Sequence, residues 1–496
     1  MKIYLISPRY DVPAYFGSEV LRDLMLEPVN YIAELTLPTI ASLIPSDIEV
    51  EICDENLTEV DFDIDAIIFI TGKNDQIHRM KEISGEFRKR YKTVVMGGAL
   101  ATLNPHLLRD YCDVLVTGEL ESIVNDLIND LKGKVCRTEY RGRHCNFDEP
   151  VTPRWDLYPC DRALMGSVQT SRGCKYSCDF CQVAHYSGKP RCKRAKQVIE
   201  ELEVLYKNGF RYVFISDDNF NTNRDHTMNL LKEIECWNVK EEPMFFLTQI
   251  SIDTASDREL LKMCARAGII SVFVGIETNN EENLADIHKL HNIGLNIKEQ
   301  VETFLEEGIV VMSGIMFGFD EDNTDSAFKL KQFLQSLPIP IYTVWSVVAL
   351  EGTRLHDRLL MENRIEDRQI MNTPWDSNII PKHMSISEFA TATKGIITSL
   401  YSEHRFEERL IKASEILKPN SRFIDIKNKE LASKTIVAIL REIRSTNREL
   451  YDCVIKLIMD KGNIAPYLLS IMMLYMQIQY LIENDGKLKE KNEIHD

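Results

Sequence analysis

The octapeptide CKYSCDFC at residues 174–181 decides how the rest of the chain is read. Three cysteines spaced Cys-x3-Cys-x2-Cys behind Gly173 can present three thiolates from one side of a short loop, leaving a coordination position of a metal centre open. A structural zinc knob is the plain alternative, since His185, four residues beyond Cys181, would close a Cys3His tetrahedron. The sequence on either side of the loop favours the open centre. From residue 166 short β-branched or aromatic runs alternate with helical patterns: GSVQTS, YVFISDDNF, MFFLTQIS, SVFVGIET, VVMSGIMFGFD and YTVWSVVAL. Six strands each followed by a helix predict a partial (β/α)6, TIM-like barrel with its active residues at the strand carboxyl ends. Polar residues gather at those ends: Asp217, Asp218 and Asn219, then Gln249 and Ser251, then Glu277 and Thr278, with Gly314 and Gly318 on the fifth strand.

Upstream of the barrel, KIYLIS, a helix through YIAELTLPTIASLI, VEICDE, AIIFIT, a charged helix to Tyr91, TVVMGGA and VLVTGE alternate in the same manner. This predicts a Rossmann-like doubly wound parallel sheet, so the whole chain is of the α/β class. Ligands of such sheets sit at the carboxyl ends of the strands, which here carry Thr71-Gly72, Gly97-Gly98-Ala99 and Gly118-Glu119. No GxGxxG is present, which removes the ordinary dinucleotide reading. The expected organisation is a first domain over 1–135, a Pro-interrupted linker over 136–165, the barrel over 166–375 and a mostly helical carboxyl-terminal region over 376–496.

Composition narrows the function classes. The chain has 496 residues with 44% apolar content, enough for about three filled domains. Its formal charge of −17 disfavours nucleic acid, whose binding depends on neutralising phosphates with Lys and Arg. Twelve cysteines without an extracellular-style framework, and an amino terminus that reads directly as a strand, predict a cytoplasmic protein. Cys145, Cys160 and Cys192 match no second cluster spacing and read as ordinary thiols. The apolar stretch PYLLSIMMLYMQIQYLI from Pro466 is short for a bilayer span and carries Gln477 and Gln479. It reads as a packed amphipathic helix, with contact to a membrane surface the less favoured alternative.

The cysteine spacing, with Phe180 just before the third cysteine, resembles the signature of the radical S-adenosylmethionine (radical SAM) enzymes. The resemblance implies that Cys174, Cys178 and Cys181 ligate three irons of a 4Fe-4S cluster whose fourth iron S-adenosylmethionine chelates. It further implies that Phe180 belongs to the S-adenosylmethionine site, that Asp217 and Asp218 meet the amino group of S-adenosylmethionine, that Gln249, Ser251 and Glu277 contact its ribose or methionine end, and that the glycines of GIMFGF, Gly314 among them, admit the adenine. A charge partnership with a nearby Lys or Arg is the alternative for Glu277. The run VVMGGALATLNP followed by DVLVTGELES resembles the cobalamin-binding domain that precedes the radical module in one class of these enzymes. That implies a corrin cradled by Thr71, Gly72, Gly97, Gly98, Ala99, Gly118 and Glu119, and a Rossmann-like domain with a vestigial pocket is the alternative. Lys73 and Asn74 stand where small or hydroxyl residues are common in that class.

More narrowly, SDDNFNTN, CARAGIISVFVGIETNNEENL, the K-x-x-N of Lys289 and Asn292, and ALEGTRLHDRLLMENR resemble the hopanoid methylases and bacteriochlorophyll side-chain methyltransferases, with Glu351 in place of the usual Pro. The expected activity is C-methylation of a small or lipid-like metabolite. It would proceed through reductive cleavage of S-adenosylmethionine, with electrons from a donor such as flavodoxin or ferredoxin and a methyl group from cobalamin. A radical rearrangement, dehydration or ring change without methyl transfer is the second reading, and a zinc-stabilised binding protein the third. No residue stands out as a proton donor or acceptor.

Overall fold

The computed structural model describes residues 1–25, 27–147, 151–240, 242–366, 373–419 and 430–484. In the first part of the chain the strands are β1 (Lys2–Ser7), β2 (Asn30–Ile32), β3 (Glu49–Asp54), β4 (Ile67–Thr71), β5 (Val94–Gly97), β6 (Val114–Thr117) and β7 (Glu139–Arg141). They are followed by β8 (Ala163–Val168) and by a two-stranded ribbon of β9 (Ser171–Arg172) and β10 (Arg191–Cys192). The last five are β11 (Tyr212–Ile215), β12 (Phe245–Gln249), β13 (Ile269–Glu277), β14 (Val310–Phe317) and β15 (Ile341–Ser346).

Six strands form an all-parallel sheet in the order β3-β1-β4-β5-β6-β7. Both faces are covered, which is why these strands read as continuous apolar runs. Ile6, Ile68, Ile70 and Met96 pack under helix Ile77–Lys89 on one side, while Leu5, Phe69, Val95 and Val116 face helices Thr36–Leu43 and Val124–Gly133 on the other. β7 falls within the stretch expected to be linker, of which residues 148–150 lie outside the described residues.

The second sheet has seven strands in the order β15-β14-β13-β12-β11-β8-β2, every pair parallel. Six of them are the expected half-barrel. The seventh corrects an expectation: YIAELTLPTIASLI is not one helix, because Asn30 and Ile32 pair with Ala163 and Met165 of β8 before helix Thr36–Leu43 begins. An exposed sheet edge with unpaired amides outweighs the helical preference of three residues.

The opposite edge is met by the same stretch of chain. The Tyr15 hydroxyl donates to the carbonyl of Val344 in β15 at 2.6 Å and accepts its amide at 3.1 Å. Residues 8–33 therefore leave β1, reach the β15 edge and return to β8, strapping the open side of the half-barrel with residues that belong in sequence to the first sheet. The strap is held from behind by Gln477, whose amide donates to the Ala14 carbonyl at 2.8 Å and to Glu19 at 2.6 Å.

Gln477 lies on the last described helix, Ala465–Glu483, which differs from the amphipathic element expected. Ile471 to Tyr475 are five consecutive buried residues, so the helix is apolar on all sides. It is long and apolar enough to cross a membrane, but 61% of that window is buried inside the protein. The helical region shares one hydrophobic core with the barrel, in which Ile397, Tyr401, Phe406 and Tyr475 join Ile315, Val344 and Tyr31. Residues 420–429 and 485–496 of this region lie outside the described residues.

Candidate active site

The carboxyl edges of the two sheets face each other across a cavity of about 680 Å³. From the first sheet it is lined by Thr71, Lys73, Gly97, Gly98, Gly118 and Glu119. It continues as an apolar cleft down the sheet face to Leu5, Phe69, Val95 and Val116, beside Ile40, Leu43 and Leu127 of the covering helices. The barrel contributes pairs two residues apart, because alternate side chains point inward: Phe214 of β11 with Ser216 just beyond it, and Leu247 and Gln249 on β12. Phe273, Met312 and Phe16 of the strap complete the apolar floor, with the rings of Phe16 and Phe273 edge to face at 6.0 Å.

The cysteine loop is braced on this barrel. Gly173 takes φ +92° so that the chain can turn past the Gly188 carbonyl, which a Cβ would meet at 2.9 Å. The Asp179 amide donates to the Ile287 carbonyl at 3.0 Å, and the Leu355 amide to the Asp179 carbonyl at 3.0 Å. Phe180 packs into a small cluster with Ile287, Phe319 and Val347, so its part is to anchor the loop. Cys174, Cys178 and Cys181 are all free and half-buried. Burial pushes the Cys178 thiol up to about 11 and the Cys181 thiol upward as well, while the Lys289 ammonium pulls both back. The Asn219 amide donates to the Cys174 sulfur at 3.6 Å. Among the described residues no three His, Cys, Asp or Glu side chains close around a single ion. Three free thiols on one loop, with an ammonium and an amide beside them, fit the ligand set of a 4Fe-4S cluster that keeps one iron open. The His185 side chain needed for the zinc alternative lies outside the described residues.

The expected S-adenosylmethionine residues separate into two groups. Asp218 and Gln249 line the cavity, and the Asp218 carboxylate accepts the Gly173 amide at 2.7 Å. Asp217 does not line it. This residue is fully buried, and it accepts the amides of Thr170 and Ser171 at 2.6 and 3.0 Å and their hydroxyls at 2.5 and 2.7 Å. All four lone pairs are used, so Asp217 fixes the corner between β8 and the cysteine loop. Burial raises its pKa while the hydrogen bonds oppose the rise.

Glu277 is paired with Lys289 at 2.8 Å, in line with the charge-partner alternative. It sits at a bulge in β13 with φ +65°, a conformation held by Asn292, which donates to the carbonyls of Gly275 and Ile276. The Lys-x-x-N motif therefore braces the strand end beside the thiols. Gly314 makes room for the Phe273 ring, which a Cβ would meet at 3.2 Å. Ser251 stands next to the hydroxyl of Tyr176, which donates to Asp253 at 2.7 Å and stacks on His291 with ring centroids 3.6 Å apart.

In the first sheet the glycines divide likewise. Gly98 takes φ +94°, and a Cβ there would come within 2.6 Å of the Thr71 hydroxyl; at Gly118, φ is +74° and the Gly142 carbonyl would be 2.2 Å away. Those two serve the chain's own turns. Gly97 has no such demand, since its Cβ would touch only Val116, at 3.6 Å. Gly72 and Ala99 stand behind this wall and do not line the cavity, and a Cβ on Gly72 would meet the Met80 sulfur at 2.7 Å. Glu119 does line it, but as a strut between the sheets, bonded to Arg191 at 2.5 Å, Arg172 at 3.2 Å, His144 at 3.1 Å and the Cys145 amide at 2.8 Å. Burial works to raise its pKa, and these donors overcome it to hold the group at about 2.

The residues that sequence reasoning missed are those the strap brings in, Tyr10, Phe16, Ser18, Asn30 and Glu34, together with Ser167, Gln169 and Tyr186 near the cysteine loop. Ser167 and Gln169 were findable, because they repeat the two-residue alternation at the end of β8. Nothing local marks the strap.

Comparison with known proteins agrees with this layout. Residues 168–334 match the model of the radical SAM superfamily, and residues 353–483 match a domain of unknown function. An uncharacterized methyltransferase of Synechocystis is 30% identical over 419 residues, covering 82% of this chain and 78% of the relative. The hopanoid C-2 methylase of Rhodopseudomonas palustris is 31% identical over 377 residues, covering 73% and 71%. The structure of the radical SAM methyltransferase TsrM of Kitasatospora setae, with cobalamin and a [4Fe-4S] cluster bound, superposes with a TM-score of 0.61 at 15% identity, covering 97% of this chain and 99% of that one. With the three-cysteine loop on a half-barrel and the parallel sheet facing it, these matches show that the chain is an enzyme of the radical SAM superfamily.

Proposed function

We propose that the protein C-methylates an unactivated carbon of a small-molecule or lipid-like metabolite held in the cavity between the two sheets. The observation that carries this reading is the single cavity into which the barrel tips and the glycine edge of the first sheet both open, beside the cysteine loop. Side chains offer no route to an unactivated C–H bond, so the chemistry belongs to cofactors. A 4Fe-4S cluster on Cys174, Cys178 and Cys181, S-adenosylmethionine and cobalamin supply, when bound, homolytic C–H chemistry and a transferable methyl group.

The chain's own residues position and shield. Asp218 offers a carboxylate to an ammonium at the cavity wall, and Gln249 a hydrogen-bonding amide one strand along. The Lys289 ammonium, held in place by Glu277, favours the thiolates of Cys178 and Cys181 and hence metal ligation, and Glu277 partly offsets it at Cys178. Gly97 leaves the sheet edge bare where a flat macrocycle would lie, and the cleft reaching Leu5 and Val95 receives an apolar extension of it. Phe16, Phe214, Leu247, Phe273 and Met312 form an apolar floor that excludes water and suits an aliphatic substrate. Electrons are supplied by a small donor such as flavodoxin or ferredoxin, nucleic acid plays no part, and the setting is cytoplasmic.

The test is a comparison of metabolites and lipids from cells with and without the protein, fed methionine labelled in its methyl group. The reading predicts a product heavier by one labelled methyl, attached to carbon. A new product without label would replace methylation by a radical rearrangement or ring change.

A further inference from the structure

Lys73 follows β4 at the carboxyl edge of the first sheet, and its side chain projects into the cavity. It is exposed, and the stretch of cavity wall that it shares is formed by Tyr10, Glu34 and Tyr186. Among the described residues its ammonium has no hydrogen bond and no ion pair. Glu34 and Asp75 act on it electrostatically, but neither comes within ion-pair distance, and a Glu34 oxygen is already taken by the Thr36 amide at 2.9 Å. The hydroxyls of Tyr10 and Tyr186, which line the same wall, likewise have no hydrogen-bond partner among the described residues. The cations nearby are all spent: Arg172 pairs with Glu119 and Glu121, and Arg191 with Glu119. In a chain of net charge −17, one unpaired ammonium flanked by two phenols on a cavity wall is a group able to take a counter-charge.

We propose that Lys73, with the hydroxyls of Tyr10 and Tyr186, binds an anionic oxygen group, a carboxylate or a phosphate, within the cavity. This rests on the cavity being the chamber for corrin and substrate. Two sources carry that chemistry there: the phosphodiester of a corrin's nucleotide tail, and an acid group on the substrate, which would make the substrate an amphiphilic acid with its apolar body on the Phe16–Phe273 floor.

Equilibrium dialysis on the full chain separates the two sources. The probes are cobalamin, cobinamide, which lacks the nucleotide tail with its phosphate, ribose and base, and octanoate, on wild type, Lys73→Met and Lys73→Arg. If the corrin is the source, wild type holds cobalamin about tenfold or more tighter than cobinamide, the size of one charge-assisted hydrogen bond. Lys73→Met then abolishes that preference and Lys73→Arg keeps it. If the substrate is the source, Lys73→Met leaves the ratio of the two corrin affinities as in wild type, and octanoate binding falls about tenfold or more in Lys73→Met and is kept in Lys73→Arg. Wild type that retains neither corrin defeats the cobalamin reading, and octanoate alone then decides for or against the anion site. Lys73→Met with unchanged affinity for every probe that wild type binds, or wild type that neither binds octanoate nor prefers cobalamin, overturns the proposal.

Discussion

Replacing the two adjacent aspartates at the end of β11 should have opposite consequences. Asp217→Ala strips the carboxylate from the amides of Thr170 and Ser171, which are buried and have no water to turn to. At about 1–3 kcal/mol for each orphaned amide, the loss is on the order of 2–6 kcal/mol, enough to unfold a marginal domain. Asp217→Asn should cost much less, because its carbonyl keeps the two amides while the hydroxyls of Thr170 and Ser171 rotate to accept from the new amide. Asp218→Ala gives up one hydrogen bond, from Gly173, and should fold nearly as wild type. It should instead weaken S-adenosylmethionine by about 1.5–3 kcal/mol, roughly 10- to 150-fold, the size of one hydrogen bond to a charged group. Denaturant midpoints and equilibrium dialysis of S-adenosylmethionine on reconstituted protein read the two effects separately. Asp217→Asn that folds like wild type yet loses S-adenosylmethionine, or Asp218→Ala that binds it unchanged, would refute the separation of roles.

Two further outcomes follow from the first sheet. Gly98→Ala forces a Cβ against Thr71 and Gly72 at φ +94° and should lower stability by about 1–3 kcal/mol. Gly97→Val should melt close to wild type but fail to hold cobalamin through a desalting column; retention by that variant would show that the corrin lies elsewhere. Glu119 supplies the pH dependence. Its folded pKa of about 2 lies below the ordinary 4.5, so its stabilisation is present above pH 4.5 and fades as pH falls toward 2. The shift corresponds to about 3 kcal/mol at most. Wild type should therefore outlast Glu119→Gln at pH 6 by an amount that shrinks steadily by pH 3, as read from denaturant midpoints. A gap independent of pH would mean that Glu119 is not a charged strut.

The alternation of apolar runs with helical patterns was sufficient to expect both sheets, because their central strands are buried on two faces and carry few polar residues before their carboxyl ends. It could not reveal that Asn30–Ile32 crosses to the barrel, since strand pairing between distant segments leaves no local mark in three residues. The cysteine loop was legible from its spacing together with the strand pattern that follows it. The roles of the polar tips were only half so: Asp217 and Asp218 are identical in type and adjacent, and the pleat sends one into the β8 corner and the other into the cavity. Glu277 reads like a ligand residue until the fold brings Lys289 to 2.8 Å. Lys73 was conspicuous in the sequence, but only the fold shows that it lines the cavity without an ion-pair partner among the described residues.

The account stands on Cys174, Cys178 and Cys181 holding a cluster that cleaves S-adenosylmethionine. The most direct test is 5'-deoxyadenosine formation by protein reconstituted anaerobically with iron and sulfide, then given S-adenosylmethionine and a strong reductant. Wild type should release 5'-deoxyadenosine and Cys178→Ala none, because three ligands leave none to spare. Undiminished 5'-deoxyadenosine from Cys178→Ala would contradict the assignment.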